Sequence, residues 1–279
     1  MTSMGKRVLT TVVTLPTLFI IIFLLPQNSY LAFSLLAVVT ASFGAKELKT
    51  LYQKAEGVSL HVPSYAVGLL PLAQWLEIAY APHLPLVDLI IVAAALFFFS
   101  SELLYGSRDD FKKSLSRIGG ESLLLLYPGL LITFIQRLTA LPHPSEVLIL
   151  FFLLVFGNDV FAFLFGMSLG RKNKGIVKVS PNKSLAGFIG GVLSAVVIAV
   201  LYCLFVPGIK GDISILMAVV LGLATSTAAN IGDLIESAFK RSAQVKDSGV
   251  LIPGRGGLLD SIDSMLASAP IYWLLLSLF

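Results

Sequence analysis

The sequence predicts an all-α integral membrane protein, a polytopic bundle of about nine transmembrane helices with its N-terminus cytoplasmic. Three observations carry that expectation. Of 279 residues, 56% are hydrophobic and 13% charged, too little polar surface to cover a soluble globule of this size. Apolar runs approaching the ~20 residues that cross a bilayer recur along the whole chain. Basic residues gather in alternate connections, as they do where Lys and Arg are retained on the cytoplasmic side.

The first run, 8–25, follows Lys6 and Arg7 and has the look of a signal peptide. No small-residue cleavage site comes after it, and Pro26-Gln27-Asn28 suits a tight exterior turn, so it is read as a retained span. Runs at 29–45 and 62–80 enclose Lys46, Lys49 and Lys54; runs at 84–105 and 120–138 enclose Arg108, Lys112, Lys113 and Arg117. Runs at 146–169 and 186–206 enclose Arg171, Lys172, Lys174, Lys178 and Lys183; runs at 213–236 and 262–279 enclose Lys240, Arg241, Lys246 and Arg255. Eighteen of the twenty basic residues then share one face, leaving Arg137 and Lys210 apart. No soluble domain or internal repeat interrupts the pattern, so 1–279 reads as a single polytopic membrane domain. The net charge of +4, concentrated on one face, suits anionic headgroups or phosphates. Ordinary topology determination explains the loops at 46–54 and 108–117 equally well.

Composition also excludes some chemistry. The single cysteine, Cys203, rules out an internal disulfide and any zinc site built on cysteines. His61, His83 and His143 fall at span ends or in short loops, two of them on the exterior side, leaving no His for acid/base work at the cytoplasmic face. No Gly-x-x-x-x-Gly-Lys-Ser/Thr loop occurs.

Three regions break the apolar rule, and ionisable groups within spans usually face a polar cavity or a partner. The sixth run holds Gly157-Asn158-Asp159. Asp159 there can meet a metal or a basic side chain, or else Asn158 makes a helix-packing hydrogen bond and a Lys neutralises Asp159. Before the seventh run comes Ser180-Pro181-Asn182-Lys183. Pro181 near a first helical turn, Ser180 as cap and Lys183 beside exposed N–H groups would form an anion-binding helix start. The alternative is a membrane-entry turn followed by a Gly187-x-x-x-Gly191 packing face. In the eighth run Ser226, Asn230, Asp233 and Ser237 are spaced four, three and four apart and so share one helical face. Asp233, with Asp260 after the Gly256-Gly257 turn, can offer oxygen ligands to one Mg²⁺, an ion satisfied by one or two carboxylates plus phosphates and water. The alternative is a salt bridge from Asp233 to Lys240 or Lys246. Lys240, Arg241, Lys246 and Arg255 supply cations for phosphates. Gly249, Pro253, Gly254, Gly256 and Gly257 suit a tight loop whose backbone can approach a polyphosphate.

The stretch Ser237–Asp263 reads Ser-Ala-Phe-Lys-Arg, four residues, then Lys-Asp-Ser-Gly-Val-Leu-Ile-Pro-Gly-Arg-Gly-Gly-Leu-Leu-Asp-Ser-Ile-Asp. It resembles the signature of phosphatidate cytidylyltransferases, the CDP-diacylglycerol synthases of phospholipid synthesis. Asp159-Val-Phe-Ala-Phe163 is similar to that family's Asp-x-Phe-Ala-Tyr element. Ser180–Gly191 is similar to its Ser-Pro-Lys-Lys-Thr-x-Glu-Gly-x-x-Gly-Gly segment, with Asn182, Ser184 and Ala186 replacing Lys, Thr and Glu. Within the signature the chain departs twice: Arg255 stands for His and Ser261 for Arg.

The resemblance implies transfer of a cytidylyl group from CTP to phosphatidate, giving CDP-diacylglycerol and pyrophosphate, with Mg²⁺ as cofactor. It implies catalytic roles for Asp233, Lys246, Asp247, Arg255 and Asp260, with Asp233 and Asp260 on the metal. Asp159, Lys183, Ser237, Lys240, Arg241, Gly256 and Gly257 would hold substrate and phosphates. Asp263 would lie near the nucleotide or cap the last helix. Arg255, protonated at any physiological pH, would hold a phosphate rather than shuttle a proton. The implied setting is a bacterial inner membrane with the site facing the cytoplasm, membrane lipids around it, no nucleic-acid partner, and a homodimer as an admissible assembly. The competing functions are a CTP-dependent polyprenol or phytol kinase, an anion transporter and an inactive homologue.

Overall fold

The computed structural model describes residues 13–14, 16–175, 177–254 and 256–278, with the side chain of Lys172 left aside. Lys6, Arg7 and the N-terminal sidedness they were expected to set lie outside the described residues, as does Arg255. Among the described residues the regular structure is helical, and β pairing is confined to isolated bridges. A π turn at Ile20–Leu24 leads to α1 (Gln27–Glu56), α2 (Leu69–Ala79), α3 (Leu86–Tyr105), α4 (Ser114–Leu124), α5 (Leu131–Arg137), α6 (Pro144–Ser168), α7 (Leu185–Phe205), α8 (Ile215–Ser242) and α9 (Leu259–Ser277).

Among the described residues six helical stretches are long and apolar enough to cross a membrane: Gln27–Glu56, Leu86–Asp109, Ser114–Ala140, Pro144–Ser168, Leu185–Phe205 and Ile215–Ser242. The all-α membrane class is borne out; the first expected run, 8–25, lies in large part outside the described residues, and the runs at 62–80 and 262–279 take a different form from a plain span. The run expected at 62–80 yields a 3-10 turn, Ser64–Gly68, and the 11-residue α2. At 1.5 Å per residue α2 reaches roughly 16 Å, about half the ~30 Å hydrocarbon core. Pro63 holds extended backbone before the turn, and Val62, Val67, Leu70 and Ala73 are buried in protein. The run at 262–279 forms most of α9, whose first half carries Asp260, Ser261, Asp263, Ser264 and Ser268, too polar for a plain lipid-facing span. Its helix opens at Leu259, so Asp263 sits inside it and does not cap it. Asn28, Ser29 and Tyr30 take left-handed φ of 52°, 53° and 58°, which turns the chain where the Pro26-Gln27-Asn28 motif placed a turn.

The chain divides into two compact units, one of the described residues up to Arg137 with Phe239–Ser261, the other of Leu138–Ala238 with Ile262 onward. In the first unit α1 packs on the 64–68 turn and α2. Its core includes Leu48, Leu51, Leu60, Leu70 and Leu124. Pro128 removes a backbone donor between α4 and α5, and the chain passes there through a π turn, Leu125–Leu130. Arg117, expected only as a topology charge, is buried and ion-paired with Glu102 and, at 2.7 Å, with Asp109. A buried guanidinium keeps its charge only with such partners.

In the second unit α6 starts at Pro144 with Glu146 in its first turn, a proline-first and acid-first N-terminus. α6 and α7 cross closely because glycines remove side chains at the contact. A Cβ on Gly187 would meet the Ala162 carbonyl, and one on Gly191 would meet Asn158. This realises the packing-face reading of that segment. The N-cap of α7 is Ser184, whose hydroxyl accepts the Gly187 N–H at 3.1 Å, and not Ser180. Pro181 therefore lies in the turn ahead of the helix. Tyr272, fully buried on α9, donates to the Val147 carbonyl at 3.0 Å and packs on Phe151.

Candidate active site

The second unit holds a cavity of about 650 Å³ bounded by α6, the 174–184 turn, the start of α7 and the middle of α8. Asp159, Lys174, Asn182, Lys183, Asn230 and Asp233 supply its polar lining; Phe163, Met167, Leu185 and Phe188 supply an apolar side. The volume lies within the few hundred to a thousand Å³ usual for small-ligand sites.

The polar stripe of α8 behaves as its spacing predicts. Ser226 and Asn230 are buried and Asp233 is half-buried, with Asn230 and Asp233 on the cavity. Asn230 and Asn158 exchange reciprocal amide hydrogen bonds at 3.2 Å, tying α8 to α6. That pairing fixes the helical faces that carry Asp159 and Asp233. Asp233 is ion-paired, and its partner is Lys183, not Lys240 or Lys246. The partner lies fifty residues away in sequence, immediately before the α7 cap, where local spacing gives no signal. Lys174, read only as a topology charge, is also on the cavity wall. Ser237 continues the same helix, half-buried.

The signature forms a loop in the first unit. Asp260, in the first turn of α9, is ion-paired with Lys240. Its Oδ2 accepts the Ser248 N–H at 2.8 Å, the Ser248 hydroxyl at 2.9 Å and the Gly257 N–H at 2.8 Å. Burial pushes this carboxyl up, but the Lys240 ammonium and the Gly257 and Ser248 amides outweigh it and hold Asp260 below its ordinary range. The carboxylate expected on a metal is thus the anchor of the loop as the chain stands. Ile252 and Gly256 exchange main-chain hydrogen bonds of 2.8 and 3.1 Å, closing a tight turn in which Gly254 and Gly256 take φ of +83° and +109°.

A second anchor was invisible to motif reading. Glu47, half-buried on α1, accepts the main-chain N–H groups of Leu258 at 3.0 Å and Leu259 at 2.8 Å, and the Ser248 hydroxyl at 3.0 Å. A Cβ on Gly249 or Gly257 would collide with it. The N–H of Gly257, one of the loop positions expected to approach a polyphosphate, is turned onto Asp260, and those of Leu258 and Leu259 onto Glu47. The usable signal for Glu47 was its place on the buried face of α1, three residues from Gly44 and four from Leu51. Arg241, Lys246 and Asp247 are exposed.

The sequence reading set Asp233 and Asp260 on one metal. Asp233 belongs to the second unit and Asp260 to the first, each with the partners just given. Among the described residues no group of three or more His, Cys, Asp or Glu is disposed to hold a metal ion. The donor chemistry of the cavity does fit Mg²⁺: Asp159 and Asp233 offer hard oxygens to a space large enough for the phosphates and waters that ion prefers.

The cytidylyltransferase family matches residues 5–279. A phosphatidate cytidylyltransferase of Haemophilus influenzae is 40% identical over 153 residues, 54% of this chain and 53% of that protein. One from Bacillus subtilis is 39% identical over 125 residues, 45% of each. The uncharacterized protein YnbB of Escherichia coli is 31% identical over 218 residues, 77% of this chain and 71% of that one. The alignments thus span about half the length of the two named enzymes.

Proposed function

The chain belongs to the cytidylyltransferase family, and on that premise we propose that it transfers a cytidylyl group from CTP to phosphatidate, giving CDP-diacylglycerol and pyrophosphate. The observation that carries the reading is the amphipathic cavity, which sets charged and apolar linings side by side, as a phosphate esterified to an acyl glycerol requires. Relatives named for this activity support the choice of substrates.

In this reading an oxygen of the phosphatidate phosphate forms a bond to the α-phosphorus of CTP. The bond from that phosphorus to the bridging α–β oxygen breaks, and pyrophosphate leaves with the electron pair. The attacking oxygen is already anionic, so the chain need not deprotonate it; the demand is for alignment and charge neutralisation. Lys183 and Lys174 neutralise phosphate in the cavity, with Lys240, Arg241, Lys246 and Arg255 as further cations of the signature. Asp233, with Asp159, would hold Mg²⁺, which lowers the cost of the charge building on the transferring and leaving phosphates. Asp260 keeps Lys240 and the signature loop in place, and Asp247 stands beside Lys246 on that loop's exposed side. The proposed setting is a bacterial inner membrane with the site on the cytoplasmic face, where CTP is available.

Phosphorus NMR of a reaction with phosphatidate, CTP and Mg²⁺ tests the reading. Conversion of the lipid phosphomonoester resonance into a coupled diphosphate pair, with pyrophosphate in equal amount, is the expected result. An unchanged phosphomonoester signal with folded protein would overturn it.

A further inference from the structure

We propose that Glu47 is a positioning residue for the reaction, holding the signature loop in the conformation that presents Lys246 and Asp247 to the nucleotide. The inference rests on the reading of that loop as a phosphate-handling element. Glu47 comes from α1, more than two hundred residues before the loop, and meets it through main chain and one hydroxyl. Two N–H groups at an α-helix N-terminus, here Leu258 and Leu259, have no intrahelical acceptor, and a carboxylate satisfies both with charge-assisted bonds favoured by the helix dipole.

The Ser248 hydroxyl lies 3.0 Å from Glu47 Oε2 and 2.9 Å from Asp260 Oδ2. It has one proton to donate, so it serves one carboxylate at a time. Glu47 and Asp260 therefore form a single bracket around Ser248, with Lys240 neutralising the Asp260 side. Gly249 and Gly257 are required by this bracket, since a side chain at either would occupy the space of the Glu47 carboxylate. The exposed pair Lys246–Asp247 runs directly into the bracketed Ser248, and the turn closed by Ile252 and Gly256 lies between Ser248 and Leu258. Glu47 acts through the Leu258 and Leu259 main chain and the Ser248 hydroxyl.

The test uses the full chain in lipid nanodiscs with Glu47→Gln and, as a milder change, Ser248→Ala. Glu47→Gln is expected to lower kcat/KM for CTP roughly ten- to hundredfold, the scale of losing charge-assisted hydrogen bonds. The loss should appear in KM for CTP, with KM for phosphatidate unchanged, and Ser248→Ala should show a smaller loss of the same kind. Amide hydrogen exchange over 245–259 should rise at least roughly tenfold in Glu47→Gln while α6 keeps its protection. Unchanged exchange in 245–259 would overturn the proposal, as would equal rises in both KM values. Should the parent chain transfer no cytidylyl group, the functional reading falls, and exchange alone still decides whether Glu47 holds the loop.

Discussion

Lys183 and Asp233 form an ion pair on the wall of the second unit's cavity, joining the residue before the α7 cap to the polar stripe of α8. The pair sets a carboxylate against a cation on the cavity wall, where Asp159 and Lys174 also lie. In the proposed reaction each would exchange its partner for substrate: Asp233 for Mg²⁺, Lys183 for a phosphate oxygen.

From that exchange, Asp233→Asn is expected to lower kcat by roughly 10²–10³-fold or more, the scale of removing one preorganised electrostatic group. Lys183→Met should produce a loss of similar order and, unlike Asp233→Asn, should leave the dependence on Mg²⁺ concentration unchanged. Steady-state rates across a Mg²⁺ titration distinguish the two. Equal activity of either variant and the parent would remove the pair from the site.

Asp260 gives a pH prediction. Its folded pKa lies below the ordinary value of 3.8, so the loop anchor is fully present above that value and is lost as pH falls through the lower, folded one. Limited proteolysis of 245–258 between about pH 5 and pH 2 should show the loop opening only at the acid end. Asp260→Asn should open it at every pH, making the profile flat.

The α6–α7 crossing depends on the bareness of Gly191, where a Cβ would press on the Asn158 side-chain and main-chain oxygens. Gly191→Val is expected to cost about 1–3 kcal/mol, as overpacking does. Thermal unfolding in detergent should show a lowered midpoint, and Gly211→Val, placed where a Cβ meets open space but φ is +96°, separates packing cost from backbone strain.

The cap of α7 makes a smaller prediction. Ser184→Ala should destabilise by about 1 kcal/mol through the lost bond to the Gly187 N–H, whereas Ser180→Ala should be near neutral. Differential scanning of the two variants tells which serine starts the helix.

Much of this was legible in the sequence, and what was not has physical causes. Spacing alone put Asn230 and Asp233 on one face, and the Gly187-x-x-x-Gly191 pattern foretold a close crossing. An apolar run does not say whether it faces lipid or protein, so 62–80 read as a span although Pro63 and Gly68 divide it into a turn and a short buried helix. The partners of charged groups were hidden by distance along the chain. Lys183 reaches Asp233 across fifty residues and Glu47 reaches Leu258 across 211. Local reasoning offered Asp233 only its neighbours Lys240 and Lys246. For the signature loop, glycine content predicted the tight turn and positive φ, but not that the Gly257 N–H is held by Asp260 and the Leu259 N–H by Glu47.

The most direct test of the central claim is the fate of label from CTP incubated with the purified full chain, phosphatidate and Mg²⁺. The account predicts that label at the α-phosphate enters a chloroform-soluble lipid, that label at the γ-phosphate leaves as pyrophosphate, and that Asp233→Asn slows both by roughly 10²–10³-fold or more. Label from the γ-phosphate in lipid, or no lipid label from folded protein, would contradict it.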